Sequence, residues 1–431
     1  MVSEACIDWS GRVADCHVEF FEAPKDVTIK TVDGEVKGHR LILAMASPAL
    51  AKSMEKDASS ASIILQKEAT TATVETMVNF IYNSKSVKLQ GMSSRKLLQV
   101  LSFAGKWHIP ELLLAVLDTL TVYDLTKEVL LNTAADIIRS SADHGLDAKQ
   151  LLLLCAKFLK PKLPTFMSVL LFMKHNKNQQ AVFFQLQVLM REKDILEIQT
   201  LPYIKWSTRV ALLLAQTDSI LTDVTFEIEG KIVRAHKLIL AMASPVFMKM
   251  FFTSEFADKK AQEIPVKETT HEAFEVMVEA IYNTTSMQKT PLMKSAGDIF
   301  DVLNLAVKYE IPKMEITAKA CLAAFPVTKD TLLTVASDAQ AFLVPFREEA
   351  TEVLARCAGL CWTLFSRPRD KGPGPWDHDS LFQYCCDHEE QQEVLCLLQG
   401  IMVTTPCKDC NKVPCEKVGP RPVYYWSSDS D

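Results

Sequence analysis

Three cysteines near the C-terminal end, Cys407, Cys410 and Cys415, form a C-x2-C-x4-C pattern. Thiolates two residues apart can bite one zinc ion, and a closed structural site takes four ligands. Cys396, His388 or the adjacent Cys385 and Cys386 are candidates for the fourth, and a set of reduced thiols is the alternative. Redox work by Cys407 and Cys410 is disfavoured, because nothing places them at the start of a helix in a βαβ unit. We therefore expect no cofactor, apart from a candidate structural zinc in this tail. Other catalytic signatures are missing. There is no G-x-S-x-G, no H-E-x-x-H, no phosphate-binding loop and no Cys–His pair with a placed orienter, so the chain reads as non-enzymatic. His39 and His236 each precede a basic residue, with no second His or carboxylate at ligand spacing nearby. They read as hydrogen-bonded core histidines.

Composition narrows the classes further. The chain has 431 residues, 48% hydrophobic and 23% charged, which suits two or three folded domains. Net charge is −6, and neither half is basic, so a direct nucleic-acid partner is not expected. No apolar run approaches the ~20 residues of a membrane helix, and no secretory leader is visible. Nine of the 12 Cys lie from Cys321 onward. A reducing, cytoplasmic location, with the nucleus as a second site, is the expectation.

The elements that must position any site come in duplicate. The octamer LILAMASP occupies Leu41–Pro48 and again Leu238–Pro245. Around it, Ile7–Ala14 matches Ile204–Ala211, and Asp26-Val27-Thr28 matches Asp223-Val224-Thr225, all at an offset of 197. Ile81-Tyr82-Asn83 matches Ile281-Tyr282-Asn283 at 200; Ile109-Pro110 matches Ile311-Pro312 at 202. Two long copies, rather than many short ones, imply two domains and not a solenoid.

Each copy shows the same coarse order of elements. Val224, Phe226 and Ile228 alternate with polar residues, as a half-buried strand does, and Val27 and Ile29 follow suit. Asp33-Gly34 is a hairpin-turn signal, with Glu229-Gly230 the weaker counterpart. Ser47-Pro48 and Ser244-Pro245 put a capping hydroxyl before a proline at the first helical position. Val74, Met77, Val78 and Ile81, like Phe274, Met277, Val278 and Ile281, follow helical spacing. Thr269 and Glu272 have the spacing of a capping box. Residues 121–200 and 324–400 read as mainly helical.

This ordered set resembles the BTB/POZ domain family. Copy two carries it as Asp223-Val224-Thr225-Phe226, Ala235-His236-Lys237, Leu240–Pro245, Ala280-Ile281-Tyr282 and Ala306–Pro312. Copy one carries Asp26-Val27-Thr28-Ile29, Gly38-His39-Arg40, Leu43–Pro48, Phe80-Ile81-Tyr82 and Ala104–Pro110. The resemblance implies an α+β fold: two small sheets with helices, each followed by a helical, BACK-like segment. The domains implied are 5–120 and 201–323, with helical regions at 121–200 and 324–400 and a Cys-containing, acidic tail at 401–431.

What the resemblance implies about function is partner docking. Asp26 with Arg40, and Asp223 with Lys237, match positions that the family places at a charged pocket near a dimer interface; the alternative is that each pair only staples its own hairpin. Trp9 and Trp206 lie where a dimerising helix would be, so the copies pair either within one chain, as a pseudo-dimer, or across chains. Many relatives are substrate adapters of cullin-RING ubiquitin ligases, with a hydrophobic-x-Glu motif after the Ser-Pro helix. Copy two has Phe256-Ala257-Asp258 there, one methylene short. Its helix offers Phe247, Met250 and Phe251 for docking a partner, against the alternative that they are domain core. A dimerising scaffold for transcription or trafficking, without a cullin, is the other reading.

Overall fold

The computed structural model describes residues 7–17, 23–56, 62–64, 69–85, 87–120, 125–162, 180–190, 203–214, 222–253, 263–283 and 295–365, with 393–394, 397–398 and 401. They fall into two compact units. One comprises Cys6–Val266 with Ile281–Asn283; the other comprises the described parts of Lys267–Ala280 and Thr284–Asp431.

In the first unit, copy one opens with helix α1 (Trp9–Asp15), whose N-cap Asp8 accepts the Gly11 N–H. Strands β1 (Val27–Lys30) and β2 (Glu35–Gly38) follow, then helices α2 (Arg40–Ala46) and α3 (Pro48–Lys56) and strand β3 (Ser62–Ile64). β1 is central, antiparallel to β2 and parallel to β3. Helices α4 (Thr71–Tyr82), α5 (Ser94–Lys106) and α6 (Pro110–Thr119) complete the copy. Beyond it run α7 (Lys127–His144), α8 (Lys149–Leu159) and α9 (Gln180–Met190). Copy two repeats the pattern with α10 (Trp206–Leu214), β4 (Val224–Ile228), β5 (Lys231–Ala235), α11 (Lys237–Ala243), α12 (Pro245–Phe252) and β6 (Glu263–Pro265). Its sheet has the same order, with β4 between β5 and β6.

The duplicated octamer is a buried helix that ends in a capping serine. Leu41 to Ser47 are all buried and Pro48 is exposed; Leu238 to Ser244 and Pro245 repeat that pattern residue by residue. The reason is apolarity all round: a helix with no polar face has to be enclosed. Each fully buried Leu or Ile contributes about 1.5–3 kcal/mol. Ser47 and Ser244 stop one helix and start the next, each Oγ accepting an N–H three residues on, from Leu50 at 3.0 Å and from Phe247 at 3.1 Å. The expected helical stripes also hold, with Val74, Met77, Val78 and Ile81 and their counterparts in copy two at no more than 2% exposure.

The hairpins reverse the expected order of turn strength. Glu229 and Gly230 both have positive φ, 53° and 77°, and form a two-residue turn closed by the Ile228–Lys231 pair. Asp33-Gly34 lies instead in a four-residue loop between Lys30 and Glu35. The Asp33 carboxylate is used elsewhere: it accepts the Thr71 N–H at 2.6 Å and the Thr71 hydroxyl at 2.9 Å, holding the start of α4. Asp33-Gly34 still lies in the hairpin connection, where the Thr31 N–H donates to the Gly34 carbonyl at 2.9 Å.

In the second unit, α13 (His271–Tyr282) begins; its last two residues, Ile281 and Tyr282, belong to the first. Its cap is Thr270, whose hydroxyl accepts the Ala273 N–H at 3.2 Å, so the helix starts one residue later than the Thr269–Glu272 spacing suggests. Helices α14 (Ala296–Lys308), α15 (Pro312–Ala324), α16 (Leu332–Ala341) and α17 (Arg347–Phe365) follow, with α14 packed on α15 and α16 on α17. α14 opens with a capping box between Ser295 and Asp298, which the sequence reading missed. His108 and Glu310, at matching places before Ile-Pro, both take positive φ, 52° and 51°. Ile109 and Ile311 then donate N–H groups back to Ala104 and Ala306, ending α5 and α14 alike. Among the described residues no helix is long and apolar enough to cross a membrane.

Candidate functional site: the face between the first helices

Helices α1 and α10 pack against each other, and the exchange is reciprocal. α1 also touches α11, the octamer helix of copy two, while α10 touches α2, the octamer helix of copy one. Trp9 and Trp206, at matching positions in these helices, are 2% and 1% exposed. Their indole N–H groups are both enclosed and find no acceptor among the described residues. The rings are there for bulk, since a Trp removes about 150–250 Å² from water. Val13 and Val210, one turn on, are fully buried beside them in sequence.

The two acids lie at the starts of the octamer helices that α10 and α1 touch. Asp26 Oδ1 accepts the backbone N–H of Arg40 at 2.6 Å, and Asp223 Oδ1 accepts that of Lys237 at 2.7 Å. Each carboxylate thus sits at the first turn of an octamer helix, where negative charge is favoured. The hydrogen bonds go to the backbone of the basic residue, a detail that residue types alone do not reveal. Asp223 is reached by water on one side, and the protein crowding its other sides pushes its carboxyl above the usual range; the Lys237 N–H and charge oppose this, and Asp26 adds repulsion. The Asp223 carboxyl of copy two therefore feels the field of the acid of copy one. The Lys237 ammonium lies 5.8 Å from the centre of the Phe251 ring.

Further links join copy two's entry to copy one. The Ile204 N–H donates to Ser84 Oγ at 3.0 Å, Lys85 lies over the Tyr203 ring at 5.4 Å, and Arg209 Nη2 bonds Glu111 Oε1 at 2.8 Å. None of these was singled out from sequence. The signal for the last was a charge on α6 with no match in copy two.

His39 and His236 are core histidines, as their surroundings in sequence suggested. In each, Nδ1 meets a tyrosine hydroxyl, Tyr82 at 2.8 Å and Tyr282 at 2.7 Å, and the same hydroxyl accepts the histidine backbone N–H. Burial pushes both imidazoles down, His236 to about 4, so they are neutral at pH 7. On α12, Phe247 and Phe251 are 0% and 2% exposed and stack at 5.6 Å, while Met250 and Phe252 are half-buried. Phe247 and Phe251 hold the helix from inside. Phe256, Asp258, Cys407, Cys410 and Cys415 lie outside the described residues.

The comparisons with known proteins agree with this architecture. The family model for the BTB/POZ domain matches residues 19–123 and 213–324. Among curated proteins, the chain is similar to BTB and MATH domain-containing protein 36 of Caenorhabditis elegans, 28% identical over 138 residues, 32% of this chain and 41% of that protein. It is 31% identical over 94 residues to BTB and MATH domain-containing protein 42 of the same organism, 22% of each chain. BTB/POZ domain-containing protein 9 of Homo sapiens is 33% identical over 93 residues, 22% of this chain and 15% of that protein. The chain thus spans less than half the length of these relatives.

Proposed function

The chain belongs to the BTB/POZ domain family, and from that premise we propose that it is a protein–protein adapter whose two BTB domains pair with each other inside one molecule. Domains of this family mediate protein–protein interaction and self-association, and the relatives carry the same BTB domain by name. The observation that supports intramolecular pairing is the reciprocal packing of α1 and α10 onto each other and onto the opposite octamer helix. Tethering raises the local concentration of one copy around the other to roughly millimolar, so even a modest affinity closes the pair. Size-exclusion chromatography with light scattering tests it. A species near the chain mass of 48.3 kDa is expected; a purely dimeric or larger species would overturn the reading.

At a finer level the reading is a substrate adapter of a cullin-RING ubiquitin ligase, cytoplasmic with a nuclear fraction. Copy two supplies the docking face through Met250 and Phe252 on α12 and Phe256 and Asp258 beyond it, with BACK-like helices after each domain. Recovery of a cullin on affinity purification, lost in Phe256→Ala or Asp258→Ala, is the expected result. Asp258 in place of Glu favours the second reading, a scaffold without a cullin; co-repressor or coat proteins would then be recovered instead. A structural zinc at Cys407, Cys410 and Cys415 is carried by residue types alone, and metal content that is unchanged by Cys407→Ser would remove it.

A further inference from the structure

We infer that Arg209 and Glu111 form a specificity pair, directing the first helix of copy two onto copy one and away from the copy two of another chain. This rests on the intramolecular pairing proposed above. The ion pair is close and shielded: 2.8 Å between Nη2 and Oε1, with the side chains 23% and 13% exposed. Glu111 Oε2 is enclosed and finds no partner among the described residues, so the guanidinium at Oε1 is the contact that compensates this carboxylate, and losing it would leave an unpaired group in a shielded place.

The two copies differ at one member of this pair and agree at the other. Arg12 of α1 stands where Arg209 stands in α10, and it is exposed. Glu111 is the second residue of α6, after Pro110; in copy two α15 starts in the same way at Pro312, and its second residue is Lys313. Both copies thus carry the cation, but copy one alone carries the acid that receives it. A copy two from a second chain would bring Lys313 to Arg209, placing two cations in a partly desolvated contact. Such a mismatch discriminates between partners as strongly as a favourable contact does.

The test uses the full chain with a protease site placed within 191–200, comparing wild type with Glu111→Lys, Arg209→Glu and the double variant. After cleavage, the wild-type fragments should stay together. Each single change should raise their dissociation constant at least about tenfold, and the double change should bring it back to within about threefold. Before cleavage, Arg209→Glu now suits Lys313 of another chain, so light scattering should show dimer, whereas Glu111→Lys should not dimerise. Lys is the natural residue at this place in copy two, and Glu111→Gln, which removes charge without repulsion, should fall between wild type and Glu111→Lys. Singles without effect, or a double variant no better than the two losses combined, would overturn the pair while leaving intramolecular pairing intact. An Arg209→Glu chain that stays monomeric would overturn the discrimination against a second copy two. Wild-type fragments that separate at once would instead sink the pairing itself.

Discussion

At the residue scale, the same polar types do opposite jobs according to enclosure. His236 is held to about 4 by burial, against the ordinary 6.5. Between those values the unfolded chain takes up a proton that the folded chain refuses. Stability should therefore fall as pH drops from about 6.5 to about 4, then level off, a loss of about 3 kcal/mol from this group. Urea unfolding across that range checks it, and His236→Gln should flatten the slope; an unchanged slope assigns the effect to other groups. Asp223 behaves differently. Crowding raises its carboxyl, so ionising it costs stability as pH rises through its folded pKa. Asp223→Asn keeps an acceptor for the Lys237 N–H and should be near neutral at pH 7. Asp223→Ala loses that bond and should cost about 1 kcal/mol by thermal melting. The histidines were legible in the sequence because nothing nearby could ligate with them. The backbone bond of each acid was not, because residue type does not show which atom of a basic residue a carboxylate meets.

At the element scale, helix ends carry much of the design. Ser244→Ala removes the cap of α12 and should cost about 1 kcal/mol, read as a lowered melting temperature. Gly145 ends α7 at φ 62°, in the left-handed region, and a Cβ there would meet no other atom within 4 Å. Gly145→Ala should therefore destabilise by about 1 kcal/mol through backbone strain alone, with no loss of packing. Both serine caps were visible as Ser-Pro in the sequence. The start of α13 at Thr270 and the exchange of turn roles between Asp33 and Glu229 were not. Each depended on where a side chain found its hydrogen bond after folding.

At the scale of the whole molecule, α1 and α10 make the first unit more than copy one with its helices. If their packing couples the copies, Trp9→Ala and Trp206→Ala should each cost roughly 3–5 kcal/mol. Their combined loss should be smaller than the sum by about 1 kcal/mol or more, because the second truncation acts on a face already loosened. Strict additivity in denaturant unfolding would place the two rings in independent cores.

The sequence by itself determined that one α+β domain is present twice, where its first hairpin and several of its helices fall, and that its duplicated octamer belongs to a core segment; the third strand of each sheet, β3 and β6, left no signal that was read. Periodicity and repetition are local signals, and burial of an all-apolar segment follows from composition, whereas its helical form came only with the structure. Only the tertiary structure decided that α1 lies on α10, that each acid binds a backbone N–H, and that Arg209 finds Glu111. These depend on which distant surfaces meet, and the free energy of such contacts is set by geometry that no stretch of a dozen residues contains.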